Sequence, residues 1–327
     1  MHGHDRESPG LCSCDTRFVA VRLKMRPPID LARTMTIQIP ALEWTRVGHG
    51  FRRSINGAEQ RMRPHGAENA HADTLDLEGV TVEELHWTPL AVLPIESEPI
   101  RTLRDFYAGI YFMEGQDPFR CLTLTILTQN KTAERAREAF DNLVHYLGSI
   151  TPQIVCRADP RDIVPLLRRC GPHRKAEYLV SAAREIMRRW GGDMSWVYDA
   201  PDQARETLLS LPGVGPKTAD CVLLYAAGHD VVPIDTHVER VARRLGFIER
   251  AAACPEQSVK VERLSGTEKS KELAKRGLER ELPFPGKSHL LLIQHGFECC
   301  HAHHPACASC PLRHVCTSCD NWSRADP

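Results

Sequence analysis

Beyond residue 100 the sequence predicts an all-α fold, and three observations carry the prediction. From Arg101 onward apolar residues recur at the helical period: Leu103, Phe106, Tyr107 and Ile110 share one face. Pro and Gly punctuate the chain where helices start and stop, as at Asp117-Pro118, Gly171-Pro172 and Pro212-Gly213. Near the end, Cys300, Cys307, Cys310 and Cys316 are spaced to close a short ligand loop. Residues 1–100 show no comparable pattern and read as an irregular extension.

In that extension, short extended pieces are plausible at Thr36–Ile39 and Val80–Leu90, and residues 64–100 hold many acids and no Lys or Arg. Cys12 and Cys14 have no nearby partners that would complete a four-ligand site. In the helical part, Asp117 is an N-cap with Pro118 at the first position, and the apolar helix that follows, to Leu127, should be buried. Thr128-Gln129-Asn130 breaks it. A helix bearing Ala136, Phe140, Leu143, Val144 and Leu147 comes next, then a short one over Asp162–Cys170. Arg174 to Trp190 is amphipathic and basic, with Arg174, Lys175, Arg184, Arg188 and Arg189 on a face that is either solvated or turned to an anion. Ala204–Leu211, Thr236–Leu245, Ser265–Leu282 and His289–His295 complete the helical pattern.

The most informative stretch is Leu211 to Asp235. Pro212 and Gly213 stop one helix, Gly215 lets the backbone double back, and Pro216 starts another. Two helices joined by a hairpin leave unpaired amides at the tip and the positive end of a helix dipole beside them. That is an anion site, and on a duplex the anion is a phosphate. Lys217 lies in the first turn of the second helix and Asp235 eighteen residues on, before the next helical pattern. Taken singly, Lys217 reads as a surface lysine and Asp235 as an N-cap. Behind a phosphate-holding hairpin they suggest an amine nucleophile with a carboxylate partner. The four cysteines suit an iron–sulfur cluster or zinc equally by spacing alone. His301, His303 and His304 keep the zinc reading open, and Cys299 and Cys319 fall outside the pattern, as spare thiols or with Cys299 competing with Cys300.

Leu-Pro-Gly-Val-Gly-Pro-Lys-Thr-Ala (211–219) and Val-Pro-Ile-Asp-Thr-His (232–237) resemble the helix-hairpin-helix and following loop of the endonuclease III family of DNA glycosylases. The resemblance spans roughly 101–320. It implies a two-lobed core, with 117–229 as the lobe ending in the hairpin and 101–116 plus 230–327 as the iron–sulfur lobe. It implies that Lys217 and Asp235 are catalytic. Gln129, Asn130, Leu211, Gly213, Val214 and Gly215 would contact DNA, one of Gln129 and Asn130 filling the gap left by a flipped nucleotide. Cys300, Cys307, Cys310 and Cys316 would hold a [4Fe–4S] cluster. A lysine at position 217 separates the strand-nicking enzymes of this superfamily from the adenine glycosylases, which carry another residue there. The implied activity is base excision followed by β-elimination on double-stranded DNA with damaged or abasic sites, by a monomer. A glycosylase without lyase activity and a non-catalytic binding module are the alternatives that Lys217 and Asp235 together disfavour.

Composition fits this reading. The 327 residues are 42% hydrophobic, no apolar run nears the roughly 20 residues a bilayer span needs, and no apolar signal segment opens the chain. A cytoplasmic protein is expected. The zero net charge hides an asymmetry: residues 1–100 carry 11 Lys and Arg against 14 acids, and the rest 31 against 28. Thirteen cysteines without a secretory signal point away from a disulfide framework. Cys121, Cys156, Cys170, Cys221 and Cys254 are expected as small buried residues.

Overall fold

The structure is a computed structural model that describes residues 21–30, 44–47, 50–55, 58–64, 71–78, 86–89, 97–106, 111–254, 264, 266–282 and 284–319. Thr36–Ile39, Cys12 and Cys14 lie outside these. The extension contains more regular structure than its sequence suggested. Strands β1 (Val21–Asp30), β2 (Thr45–Val47), β3 (Gly50–Ile55), β4 (Ala58–Pro64) and β5 (His71–Glu78) form an antiparallel sheet ordered β1-β5-β4-β3-β2. Pro27 and Pro28 interrupt the β1–β5 register between Lys24 and Ile29, because proline has no N–H for the ladder. Trp44, Phe51, Met62 and Leu75 are buried, with Phe51 opposite Met62 and Leu75 opposite Pro64. Cross-strand pairs such as these hold the sheet, and its interspersed charges hide the period-2 signal in the sequence.

Strand β6 (His86–Pro89) pairs with β7 (Tyr111–Glu114), on either side of helix α1 (Glu98–Phe106). Helix α1 buries Ile100 and Leu103, while Phe106 of the expected apolar face is exposed and Tyr107 and Ile110 lie outside the described residues.

The core is helical from there. Helix α2 (Pro118–Thr128) starts where Asp117 accepts from the Arg120 amide at 2.8 Å, and it is buried on nearly every side. Helix α3 (Ala133–Leu147) is capped by Thr132. Two short turns at Pro160–Ile163 and Val164–Cys170, the second a 3-10 helix, stand where one helix was expected. Helix α4 (Pro172–Trp190) buries Ala176, Leu179, Val180, Ala183 and Ile186 at helical spacing. Helices α5 (Pro201–Leu209) and α6 (Pro216–Tyr225) flank the hairpin, and α6 is buried from Thr218 to its end. Then come α7 (Thr236–Arg244), α8 (Phe247–Ala252), α9 (Gly266–Glu281) and α10 (Pro285–Glu298). Helices α2, α3 and α4 pack together with α6 against α2, while α10 packs on α7 and α1, and α9 on α7 and α8. Both groups share one continuous apolar core running from Ile100 to Leu312. Cys121, Cys170 and Cys221 are buried as expected, and Cys156 and Cys254 only partly. No described helix is long and apolar enough to cross a membrane.

Candidate active site and cysteine loop

The hairpin tip is built as its residues dictate, with one correction. Gly213 has φ +79°, and a Cβ there would collide with the Tyr178 ring, so this position needs glycine twice over. Gly215 is extended at φ −101° with open space around it, so its small size is not what turns the chain. Gly215 is also the N-cap of α6 and brings no side-chain acceptor, which leaves the first amides of α6 uncapped. Leu211 and Val214 point into the core, and the Val214 amide donates to the Leu211 carbonyl at 3.2 Å. Their side chains brace the hairpin from inside.

Lys217 opens the first turn of α6, half-buried, and Asp235 caps α7, also half-buried. One carboxylate oxygen of Asp235, Oδ1, accepts from the amides of both His237 and Val238 at 2.8 Å. The N-cap reading of Asp235 is therefore correct, and it leaves Oδ2 available. Lys217 and Asp235 act electrostatically on the same neighbours, Cys221, His237 and His289. That shared set places them around one locus. Its floor is uncharged. Burial pushes the Cys221 thiol up to about 12 and holds His289 down to about 4. Tyr225, fully buried, lies 3.5 Å from His289 through its hydroxyl. Charges above such a floor are poorly screened.

Gln129 and Asn130 separate clearly. Gln129 Nε2 donates to the Gly213 carbonyl at 3.0 Å and to Thr218 Oγ1 at 3.2 Å, so its side chain lies on the hairpin. Asn130 is exposed with φ +55°, a turn conformation asparagine tolerates.

The basic residues are mostly engaged within the protein. Arg184 donates to the carbonyls of Cys156 and Ala158, and Arg188 and Arg189 pair with Glu185. Arg243 pairs with Glu239. Arg240 donates to the carbonyls of Cys300 at 2.8 Å and Gly296 at 3.1 Å. Arg244 reaches Cys300 Sγ at 3.2 Å and the His301 carbonyl at 2.7 Å, while its own carbonyl accepts from Thr317 and Cys316. Helix α7 thus carries Asp235 at one end and the cysteine loop at the other. From the sequence Arg240, Arg243 and Arg244 could aid DNA binding or pair with acids such as Glu239, and the Arg243–Glu239 pair is present. The spacing of four between Arg240 and Arg244, one turn apart, was the available signal that both face the same neighbour.

Cys300, Cys307, Cys310 and Cys316 line one small cavity walled by Val241, Leu245 and Leu312. His295 and Cys299 line it too, and ligand atoms of His295, Cys299 and Cys310 lie within 4.8 Å of one another. A hydrogen bond from Cys299 draws the Cys310 thiol down to about 4, whereas Cys299 itself is pushed up. Four thiols around an apolar cavity, with arginine beside them, fit a soft thiolate-bound metal or cluster.

Residues 123–266 match a family model described as HhH-GPD superfamily base excision DNA repair protein. Endonuclease III of Thermotoga maritima is 32% identical over 203 residues, which is 61% of this chain and 83% of that protein. In fold, a trapped endonuclease III–DNA covalent intermediate aligns with a TM-score of 0.55 at 24% identity, covering 69% of this chain and 95% of that one. The Clostridium acetobutylicum 8-oxoguanine glycosylase/lyase bound to double-stranded DNA aligns with a TM-score of 0.57 at 15% identity, covering 82% and 90%. That 82% is longer than the whole of 101–327, so the likeness takes in part of the strand-bearing extension.

Proposed function

This chain belongs to the endonuclease III family of base-excision repair DNA glycosylases with associated lyase activity, and we propose that Lys217 and Asp235 carry its chemistry. The supporting observation is their arrangement: a half-buried lysine at the uncapped start of α6 and a carboxylate with one oxygen free, both above an uncharged floor. In this reading the hairpin amides near Gly213 and Gly215 hold a phosphate of duplex DNA containing a damaged or abasic site. Gln129 fills the gap left when the nucleotide leaves the stack. Lys217 Nζ, as the neutral amine, attacks C1′ while the bond from C1′ to the base breaks and the base departs protonated. Asp235 stabilises the positive charge that develops on the sugar. Opening of the sugar ring, with the C1′–O4′ bond breaking and O4′ taking a proton, gives an imine, which acidifies the C2′ hydrogen, and β-elimination then breaks the C3′–O bond. The protein works as a monomer, in two lobes: 117–229, and 101–116 with 230–327.

Cys300, Cys307, Cys310 and Cys316 would hold a [4Fe–4S] cluster. The cluster would organise the loop from 300 to 316, and Arg240 and Arg244 would carry that order to α7 and Asp235.

Borohydride reduction of the protein on an abasic duplex tests the nucleophile. The full chain should be trapped covalently, Lys217→Ala should not, and both should bind the duplex. Asp235→Asn keeps an oxygen for the two α7 amides, so it should keep the fold and slow base release. Undiminished trapping by Lys217→Ala would move the nucleophile elsewhere.

A further inference from the structure

Lys175 is an unusual lysine in this protein. It sits in the first turn of α4, is only 6% exposed, and lies where a helix dipole disfavours a cation. Among the described residues it has no carboxylate partner. Its Nζ donates to two backbone carbonyls at the end of α2, Leu127 at 2.6 Å and Gln129 at 2.8 Å. A buried lysine normally has a countercharge, because desolvating an ammonium is costly. Burial holds this one down to about 8, with Lys131 adding to the effect and Cys170 opposing it.

The carbonyls it grips decide what it is for. Gln129 is the C-cap of α2, and its own amide donates to Ile126 at 3.3 Å. With Lys175 on its carbonyl, both main-chain polar groups of Gln129 are held. Asn130 follows in the left-handed region and turns the chain away. Only the Gln129 side chain is left free to move. Both hydrogens of its amide nitrogen are directed at the hairpin, one to the Gly213 carbonyl and one to Thr218 Oγ1. Those bonds can exchange for bonds to DNA while the main chain stays in place.

We propose that Lys175 is a positioning residue that clamps the main chain of Gln129, so that its side chain can move from the hairpin into the duplex gap without the loop moving. The proposal rests on Gln129 as the gap-filling residue.

The test is a double-mutant cycle in the full chain. The readout is affinity for a duplex with one reduced abasic site relative to the same duplex intact. Gln129→Ala should lower that ratio by about tenfold, as loss of a buried polar contact does. Lys175→Met should lower it similarly, and the double variant should fall no further than either single one. Borohydride trapping at saturating protein should persist in Lys175→Met. If Lys175→Met fails to fold, Lys175→Gln, which retains one donor group, takes its place. Independent, multiplying losses would make Lys175 merely structural and overturn the proposal, as would an unchanged ratio in both Lys175 variants. An unchanged ratio in Gln129→Ala would instead remove the gap-filling reading, and the clamp with it.

Discussion

Gly213 and Gly215 look alike in the sequence and do different work. Gly213 holds a positive φ and its Cα abuts the Tyr178 ring. Gly213→Ala should therefore lose stability by roughly 2 kcal/mol or more, from backbone strain and overpacking together. Gly215 has an ordinary φ and open space. Gly215→Ala should stay within about 0.5 kcal/mol in denaturant unfolding, as a surface change does. The added methyl stands where a phosphate would approach, so DNA affinity should drop in that variant despite its intact fold. Equal stability losses for the two would contradict the backbone geometry, and unchanged DNA affinity in Gly215→Ala would contradict the hairpin's role. The contrast was not legible in the sequence, because φ at a Gly-x-Gly turn depends on which of the two meets a neighbour, and Tyr178 comes from another helix.

Among the elements, β7 and α7 act as connectors. Strand β7 pairs with β6 from the extension, and just after it the amides of Gly115 and Gln116 donate to the Tyr225 carbonyl at the end of α6. The extension is thereby joined to the helix that carries Lys217. No motif precedes residue 101, so the sequence alone treats everything before 96 as dispensable. The pairing modifies that. A chain starting at residue 84 keeps β6 and should retain lyase activity. A chain starting at 96 leaves β7 as an unpaired edge and should unfold at a lower temperature than the longer fragment. Identical melting of the two would mean that the ribbon contributes nothing. Helix α9 is a further tie. Its Lys275 and the Arg205 of α5 both reach the buried Asp220 carboxylate, at 2.9 and 2.7 Å, three residues beyond Lys217. Losing Asp220 would strand two cations, which is costlier than never having had the pair.

For the molecule as a whole, zero net charge is compatible with binding DNA because the charge is uneven, with 31 Lys and Arg against 28 acids beyond residue 100, although several of those cations serve the fold. Arg240 and Arg244 hold the cysteine loop, which packs through Leu312, Val315 and Cys316 on the common core. Metal binding and folding should therefore be linked. Protein made with ample iron should hold about four iron atoms per chain, as a Cys₄-ligated cubane requires, and should lose thermal stability when the iron is chelated out. One zinc and no iron would replace the cluster with a mononuclear site. In that case His295 and Cys299, already beside Cys310, are the ligands to substitute first.

The sequence by itself determined what depends on local order along the chain. Helix starts at Pro118, Pro172 and Pro216, the apolar periods between them, the hairpin and the cysteine spacing are written in neighbouring residues, and the helices stand within a few positions of expectation. The family was legible for the same reason, since two short motifs carry it. The tertiary structure decided what depends on residues far apart. Leu211 and Val214 turned inward because the core needed their side chains, and Arg184, Arg188 and Arg189 of α4 and Arg240 and Arg244 of α7 found acceptors within the protein. Gln129 was chosen over Asn130 by a hairpin more than eighty residues away. The sheet in the extension went unread because its charged, weakly alternating strands hide the period and its outer strand β1 pairs with β5 across most of the extension, and that register is a long-range property. Lys175 is the sharpest case: by residue type it groups with the basic residues of α4, but it shares the face of buried Leu179 and Ile186, and the carbonyls at the end of α2 make it a buried clamp.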